Sequence, residues 1–368
     1  MKRAAIVMGL IGALGAALLV GRLLAEHEFD PSATVKFATI APEQNSYAAE
    51  LLGRDIVIAP MAGHDGKFFF SQAMDPFFLE PDIHAEHLDR PTYRAQRMLY
   101  PTLASLGGLL PAEATLWGLI VVNVLAVGIG TAFTSLVAME MGISKWFGLA
   151  FLLNPAMIVT LNIDGAEIVA VAAMMAAVYY TMKETYVPAA VSLTVACLAR
   201  EAMLIAAVGL GLFVLYQKRR TVWVFAMPAL AVGGWWFFVR WRLDALLAQD
   251  IKALDLPFVG FSQAFQRWLA TPGSLPDLVM GCVLLIVSIL VVIRALRSPS
   301  ALAWAASGFA LLGLVLSGPV WLNYFDSSRA LAPVLTAYLI MVPAEAVSRK
   351  ALEGHPRESV NPRSRAST

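Results

Sequence analysis

Apolar residues run in long blocks along this chain, broken by short polar punctuation. A helix that crosses a bilayer needs about 20 mostly apolar residues. Blocks of that kind lie at 4–24, 115–139, 221–241, 277–294, 300–318 and 328–347, and shorter ones at 146–161, 166–182, 187–199 and 202–216. Two polar-rich segments separate them, 25–114 and 242–276, and no fixed-period repeat is visible. The pattern predicts an all-α polytopic membrane protein with a single transmembrane domain over 1–347. The last residues, 348–368, are rich in Arg, Ser and Pro and read as a disordered tail.

The N-terminal block from Ala4 to Val20 is longer than the roughly 7–15 apolar residues of a signal peptide, so it reads as an uncleaved first span. Two topologies then compete. In one, 98–112 crosses the membrane and 187–216 is a single helix. In the other, 98–112 lies along the surface and 187–216 breaks at Arg200-Glu201. Only the second puts Lys2, Lys145, Lys183, Lys218, Arg219, Arg220, Arg294 and Arg297 on one side, which the positive-inside rule makes cytoplasmic. It gives about ten spans with both termini cytoplasmic. It also collects 25–114, the Asn162–Glu167 turn, Arg200-Glu201 and the loop 319–329 on the outer face.

Composition agrees with the pattern. Of 368 residues 59% are hydrophobic and 14% charged, against about 25% charged in soluble domains, and mean hydropathy is +0.69. A net charge of +1 supplies no field for nucleic acid. Cys197 and Cys282 both fall within apolar blocks and suggest no disulfide framework. A Walker A loop, a nucleophile elbow and a zincin helix are all missing from the sequence, which weighs against an ATP-driven pump, a serine hydrolase and a zinc protease.

The polar segment 63–101 concentrates the remaining chemistry. Asp65 sits in a His-Asp-Gly turn, followed by Lys67 and three phenylalanines. Its carboxylate either bonds its own backbone, as turn aspartates do, or faces a site at the membrane interface. Arg90, Arg94 and Arg97 recur at helical spacing after Pro91, which suits a helix start. They predict a helix over 91–99 that either rests on lipid headgroups, with Tyr93 and Tyr100 as interfacial rings, or clamps a phosphate through the planar forks of Arg94 and Arg97. Asp164 and Glu167, three apart at the start of block 166–182, share a helix face. They either cap that helix or form an acidic patch for a sugar hydroxyl or amine. Arg200 and Glu201 either compensate each other between helices or mark a hairpin tip where Arg200 supports an anionic leaving group. His64, His84 and His87 with Asp65, Asp82 and Asp89 lack a recognised metal spacing. No cofactor is expected, the alternative being a divalent metal at Asp65 and His64.

These pieces resemble the GT-C superfold of integral membrane glycosyltransferases, and within it a bacterial type that uses polyprenyl-phosphate sugars. The resemblance rests on Gly63-His64-Asp65-Gly66-Lys67-Phe68-Phe69, Asp75-Pro76, Tyr93-Arg94 through Arg97 to Tyr100-Pro101, then Asn154-Pro155 and Arg200-Glu201. It covers roughly residues 1–220. His64 stands where relatives carry an aromatic residue and Lys67 where they carry Gln. The resemblance implies a lipid-linked sugar donor, a glycan, lipid or protein acceptor, membrane lipids as surroundings and a site on the outer face of a bacterial inner or plasma membrane. It implies Asp65 as the catalytic base or a residue beside it, and on that reading Arg94, Arg97, Arg200, Glu201, Asp164, Glu167, Lys67 and Tyr93 are the residues expected to bind substrate. Two other functions fit the hydropathy pattern: a lipid-carrier flippase or transporter, and an inactive membrane scaffold.

Overall fold

The computed structural model describes residues 1–39, 42–59, 63–243 and 254–353, without the side chains of 84–86 and 348–353. It is almost entirely helical. The one sheet among the described residues pairs Phe37–Ala38 with Ile58–Ala59 in parallel. Among the described residues four helices are long and apolar enough to cross a membrane: Lys2–Ala25, Ala112–Glu140, Arg220–Arg242 and Leu275–Arg297. A fifth crossing arises if Tyr324–Ala330 and Ala332–Val347, bent by 67°, form one span. Glu167–Met182, Tyr186–Ala199, Glu201–Tyr216 and Ala301–Val315 are apolar but shorter. The chain is therefore a membrane protein. Within the expected tail, residues 348–353 continue the last helix to Glu353, and 354–368 lie outside the described residues.

Close helix packing follows from small residues. A Cβ added to Gly9 would stand 2.9 Å from the carbonyl of Gly128, so Lys2–Ala25 and Ala112–Glu140 meet backbone to backbone. Such approach is a main source of helix association where lipid is as apolar as the side chains. One buried apolar cluster continues from Ala16 to Ala344.

Two sequence expectations fail locally. Block 146–161 is not one helix. A 3-10 turn at Lys145–Ala150 gives way to a helix at Pro155–Leu161. Asn154 caps that helix by accepting from Ala156 N, and its amide donates to Ala332 O and to Thr336. The helix expected over 91–99 is two short ones, Pro91–Arg94 and Leu99–Ala104. Pro101 accounts for the restart. Having no N–H, it costs no hydrogen bond in a first turn, where donors lack intrahelical partners.

The break at Arg200-Glu201 is present. Tyr186–Ala199 ends where Arg200 turns extended (φ −152°, ψ 116°), and a single 3-10 turn, Glu201–Met203, leads into Leu204–Tyr216. Polar residues consequently sort to the two ends of the helices. At one end lie ion pairs joining Lys183 to Glu140 (2.5 Å), Arg219 to Glu184 (2.5 Å) and Arg294 to Glu345 (3.0 Å). At the other lie the Asp164–Glu167 turn, Arg200-Glu201, the segment following Leu316 and the described parts of 26–111, whose Asp65 and Arg97 bond Arg329 and Glu201.

Candidate functional site

That second end encloses a cavity of about 1170 Å³. Asp65 lines it and precedes the helix Gly66–Met74. The backbone carbonyl of Asp65 accepts from Phe68 and Phe69 N, while its side chain makes no cap bond. The turn reading of Asp65 is thus met by the main chain alone, and the carboxylate is free for other partners. Gly66 makes this possible. A Cβ there would stand 2.7 Å from both Ile163 O and Val35 O, so only glycine lets the turn seat against two backbones.

Three arginines converge on the Asp65 carboxylate. Arg94 Nη1 donates to Oδ1 at 2.8 Å, and Arg97 Nη1 and Arg329 Nη2 donate to Oδ2 at 3.3 and 2.7 Å. Each arginine also has another acid. Arg94 grips Asp89 through two bonds (2.9 and 3.1 Å) and stacks 3.9 Å from the Phe68 ring centre. Arg97 grips Glu201 through two bonds of 3.1 Å and donates to Tyr93 Oη at 2.8 Å. Arg329 holds Glu167 Oε1 through Nε and Nη2 (3.0 and 2.7 Å). Arg200 adds a further contact to Glu167 at 2.8 Å and donates to Arg329 O. Arg200 Nε and Glu167 Oε2 are buried without a hydrogen-bond partner among the described residues.

Electrostatics follow from this crowding. Burial pushes the Asp65 carboxyl up, but the charges of Arg329, Arg97 and Arg94 reverse this and hold it far below the usual carboxylate range. Burial lowers the Lys67 ammonium. Burial, helped by the charge of Arg329, lowers the His64 imidazole and favours its neutral form. Asp164 behaves oppositely to Asp65: burial drives it up to about 7 against the hydrogen bond from Thr34 (2.5 Å) and the charge of Lys36.

The cavity gathers Asp65, Lys67, Tyr93, Arg94, Arg97, Arg200 and Glu201 on one lining. Asp164 and Glu167 do not line it, and they do not share a helix face. Asp164 has a left-handed backbone (φ 46°), and the helix starts only at Glu167. Asp164 therefore turns to Thr34, whereas Glu167 stands behind the wall and anchors Arg200 and Arg329. Of the histidines, His64 lines the cavity beside Phe325, while His87 stacks on Tyr47 with ring centres 4.0 Å apart. The side chain of His84 lies outside the described residues. No cluster of three or more His, Cys, Asp or Glu with metal-binding geometry occurs among the described residues.

Arg329 is the principal site residue that sequence reasoning did not single out. Its one signal is position: a cation inside the apolar block 328–347, where a charge needs a reason. Lys36 and Asp326 line the cavity as well. Six cationic side chains (Lys36, Lys67, Arg94, Arg97, Arg200, Arg329) thus face four lining carboxylates (Asp65, Asp89, Glu201, Asp326). Leu254, Leu312, Leu316, Pro319 and Val320 supply an apolar part of the same lining. No family model matches this chain, and neither a curated protein nor a solved structure matches it.

Proposed function

We propose that this chain is a membrane glycosyltransferase of the GT-C type. In this reading about ten spans place both termini in the cytoplasm of a bacterial cell. The enzyme moves a sugar from a polyprenyl-phosphate donor to an envelope acceptor at the outer face. One observation carries the reading: an acid and four arginines share a cavity whose lining is also partly apolar. A lipid-linked sugar phosphate has the matching parts, an anion for the guanidinium groups, hydroxyls for the carboxylates and a hydrocarbon tail for the leucines. The sorting of Lys183, Arg219 and Arg294 to the far end of the helices supports the orientation.

The chemistry balances on these residues. An acceptor hydroxyl attacks the anomeric carbon and passes its proton to Asp65. The bond from that carbon to the phosphate oxygen breaks, and its electron pair leaves with the polyprenyl phosphate. Arg94, Arg97, Arg200 and Arg329 stabilise the growing charge. The leaving phosphate is a weak base and needs no acid partner. Glu201 and Glu167 position Arg97, Arg200 and Arg329, and Tyr93 fixes Arg97 from the other side. Lys67 extends the cationic lining, and Asp164 supports the turn behind it.

A second reading, movement of a lipid phosphate without chemistry, is favoured by one observation. Three guanidinium groups make Asp65 a weak base as it stands. Mass spectrometry of lipid-linked sugars and envelope glycans, in cells with and without this protein, separates the two. Transfer predicts that one donor accumulates in its glycosylated form when the protein is removed and that one glycan loses a sugar. Unchanged glycans and lipid-linked sugars contradict transfer, and a purified protein that moves a lipid phosphate between the leaflets of a vesicle without releasing polyprenyl phosphate from a lipid-linked sugar favours transport.

A further inference from the structure

The three arginines on Asp65 are held from behind by three different acids: Asp89 for Arg94, Glu201 for Arg97 and Glu167 for Arg329. Among the described residues Asp65 is the one carboxylate they all share. Their outer partners fix the guanidinium groups in place whether or not Asp65 stays between them. Arg97 and Arg329 are each 6% exposed, so they are preset by burial as well. What converges on Asp65 is therefore a rigid, multiply donating anion seat on a cavity wall. A carboxylate fills such a seat incompletely, since it is planar and has two oxygens. A phosphate carries more oxygens, in tetrahedral directions, and suits several guanidinium forks at once.

We propose that the point where Arg94, Arg97 and Arg329 meet is the seat for the phosphate of a phosphate ester, and that the Asp65 side chain is its internal placeholder, displaced when that phosphate binds. This deepens the glycosyl-transfer reading and rests on it for the consequence, although the seat itself requires only anion binding. The consequence concerns timing. While Asp65 neutralises the arginines it is a poor proton acceptor. Once a phosphate takes over those donors, the carboxylate loses its three cations and its affinity for a proton rises. Base strength then arrives together with the donor, and a lone acceptor hydroxyl meets an inactive base.

The placeholder makes an unusual demand: removing a site residue must improve ligand binding. Equilibrium dialysis of inorganic pyrophosphate against the purified full chain in detergent, at low salt, tests it. Asp65→Asn is expected to bind pyrophosphate about tenfold tighter than wild type, a gain of about 1.4 kcal/mol. Arg97→Ala is expected to weaken binding in both the wild-type and the Asp65→Asn backgrounds. Asp65→Ser serves the same purpose if the Asn variant elutes as aggregate. Equal or weaker pyrophosphate binding by folded Asp65 variants overturns the placeholder. The assay contains no sugar, so that failure leaves glycosyl transfer standing. The converse result, tighter binding by Asp65→Asn in a protein that turns over no lipid-linked sugar, would instead remove the transferase reading.

Discussion

Arg329 bonds Asp65 across 264 positions of sequence, at 2.7 Å, and the same Nη2 reaches Glu167 at 2.7 Å. One guanidinium thus ties the short helix Tyr324–Ala330 to the first polar connection and to the start of Glu167–Met182. Removing one member of a buried pair strands the other, at a typical cost of about 3–5 kcal/mol. Arg329→Ala is expected to lower the unfolding midpoint in detergent clearly. Arg329→Lys keeps the charge but loses the forked contact, so it should fall between. An Arg329→Ala protein that melts with the wild type would show that Arg200 alone satisfies Glu167.

Gly66 tests the seating of the turn. Its missing Cβ faces two backbone carbonyls at 2.7 Å, and neither can yield without moving its segment. Overpacking of this kind costs about 1–3 kcal/mol. Gly66→Ala is expected to destabilise the protein by that order and to shift Asp65 off the arginines. Gly53→Ala meets no atom within 4 Å but has a left-handed backbone (φ 63°), so it reports strain without crowding. Equal losses in the two variants would mean that close approach at Gly66 is unimportant.

Much of this site was legible because its parts are local. Asp65 and the pair Arg94 and Arg97 lie within one polar segment, and their spacing already aims two cations at one acid. Arg200-Glu201 betrays itself as a charged interruption of an apolar run, and the chain does break there. Arg329 was not legible in the same way: charge counting puts 319–329 on the same face as 25–114 and the Asn162–Glu167 turn, but its partners lie 162 and 264 positions away and no spacing picks them out. Asp164 misleads for a different reason. Helical spacing from Glu167 assumes helical backbone at both positions, and the left-handed turn at Asp164 voids that assumption. The helix expected over 91–99 fails through the reach of Pro101, which sets where a new helix can begin.

Asp164 should make stability depend on pH. Its folded value of about 7 lies above the ordinary 3.8, so the folded state retains a proton that the unfolded chain releases. The resulting stabilisation is complete below about pH 4 and is lost as pH rises through about 7. Asp164→Asn removes this dependence. Its unfolding midpoint, measured against wild type from pH 5 to 8.5, is expected to gain on the wild type up to about pH 7 and then to hold a constant lead. A constant difference across that range would place the Asp164 carboxyl near its ordinary value.

Orientation is tested by labelling. Glu80 lies in the polar connection and Lys183 at the opposite end of the helices, and both are exposed. Single cysteines at these positions, with Cys197 and Cys282 replaced, are expected to differ in intact cells. An impermeant maleimide should modify position 80 and reach position 183 only after lysis. Labelling of position 183 in intact cells would put the cavity on the cytoplasmic face and exclude an outer-face donor.

In the proposed mechanism Asp65 takes the proton of an acceptor while arginines hold the donor phosphate. Its most direct test is the turnover of Asp65→Asn in a purified assay, supplied with polyprenyl-phosphate hexoses and extracted envelope acceptor, with release of polyprenyl phosphate as the readout. General-base assistance contributes about 10²–10⁴-fold, so the variant should lose that much turnover while binding donor at least as well as wild type. Transfer by folded Asp65→Asn at a near-normal rate would contradict that mechanism.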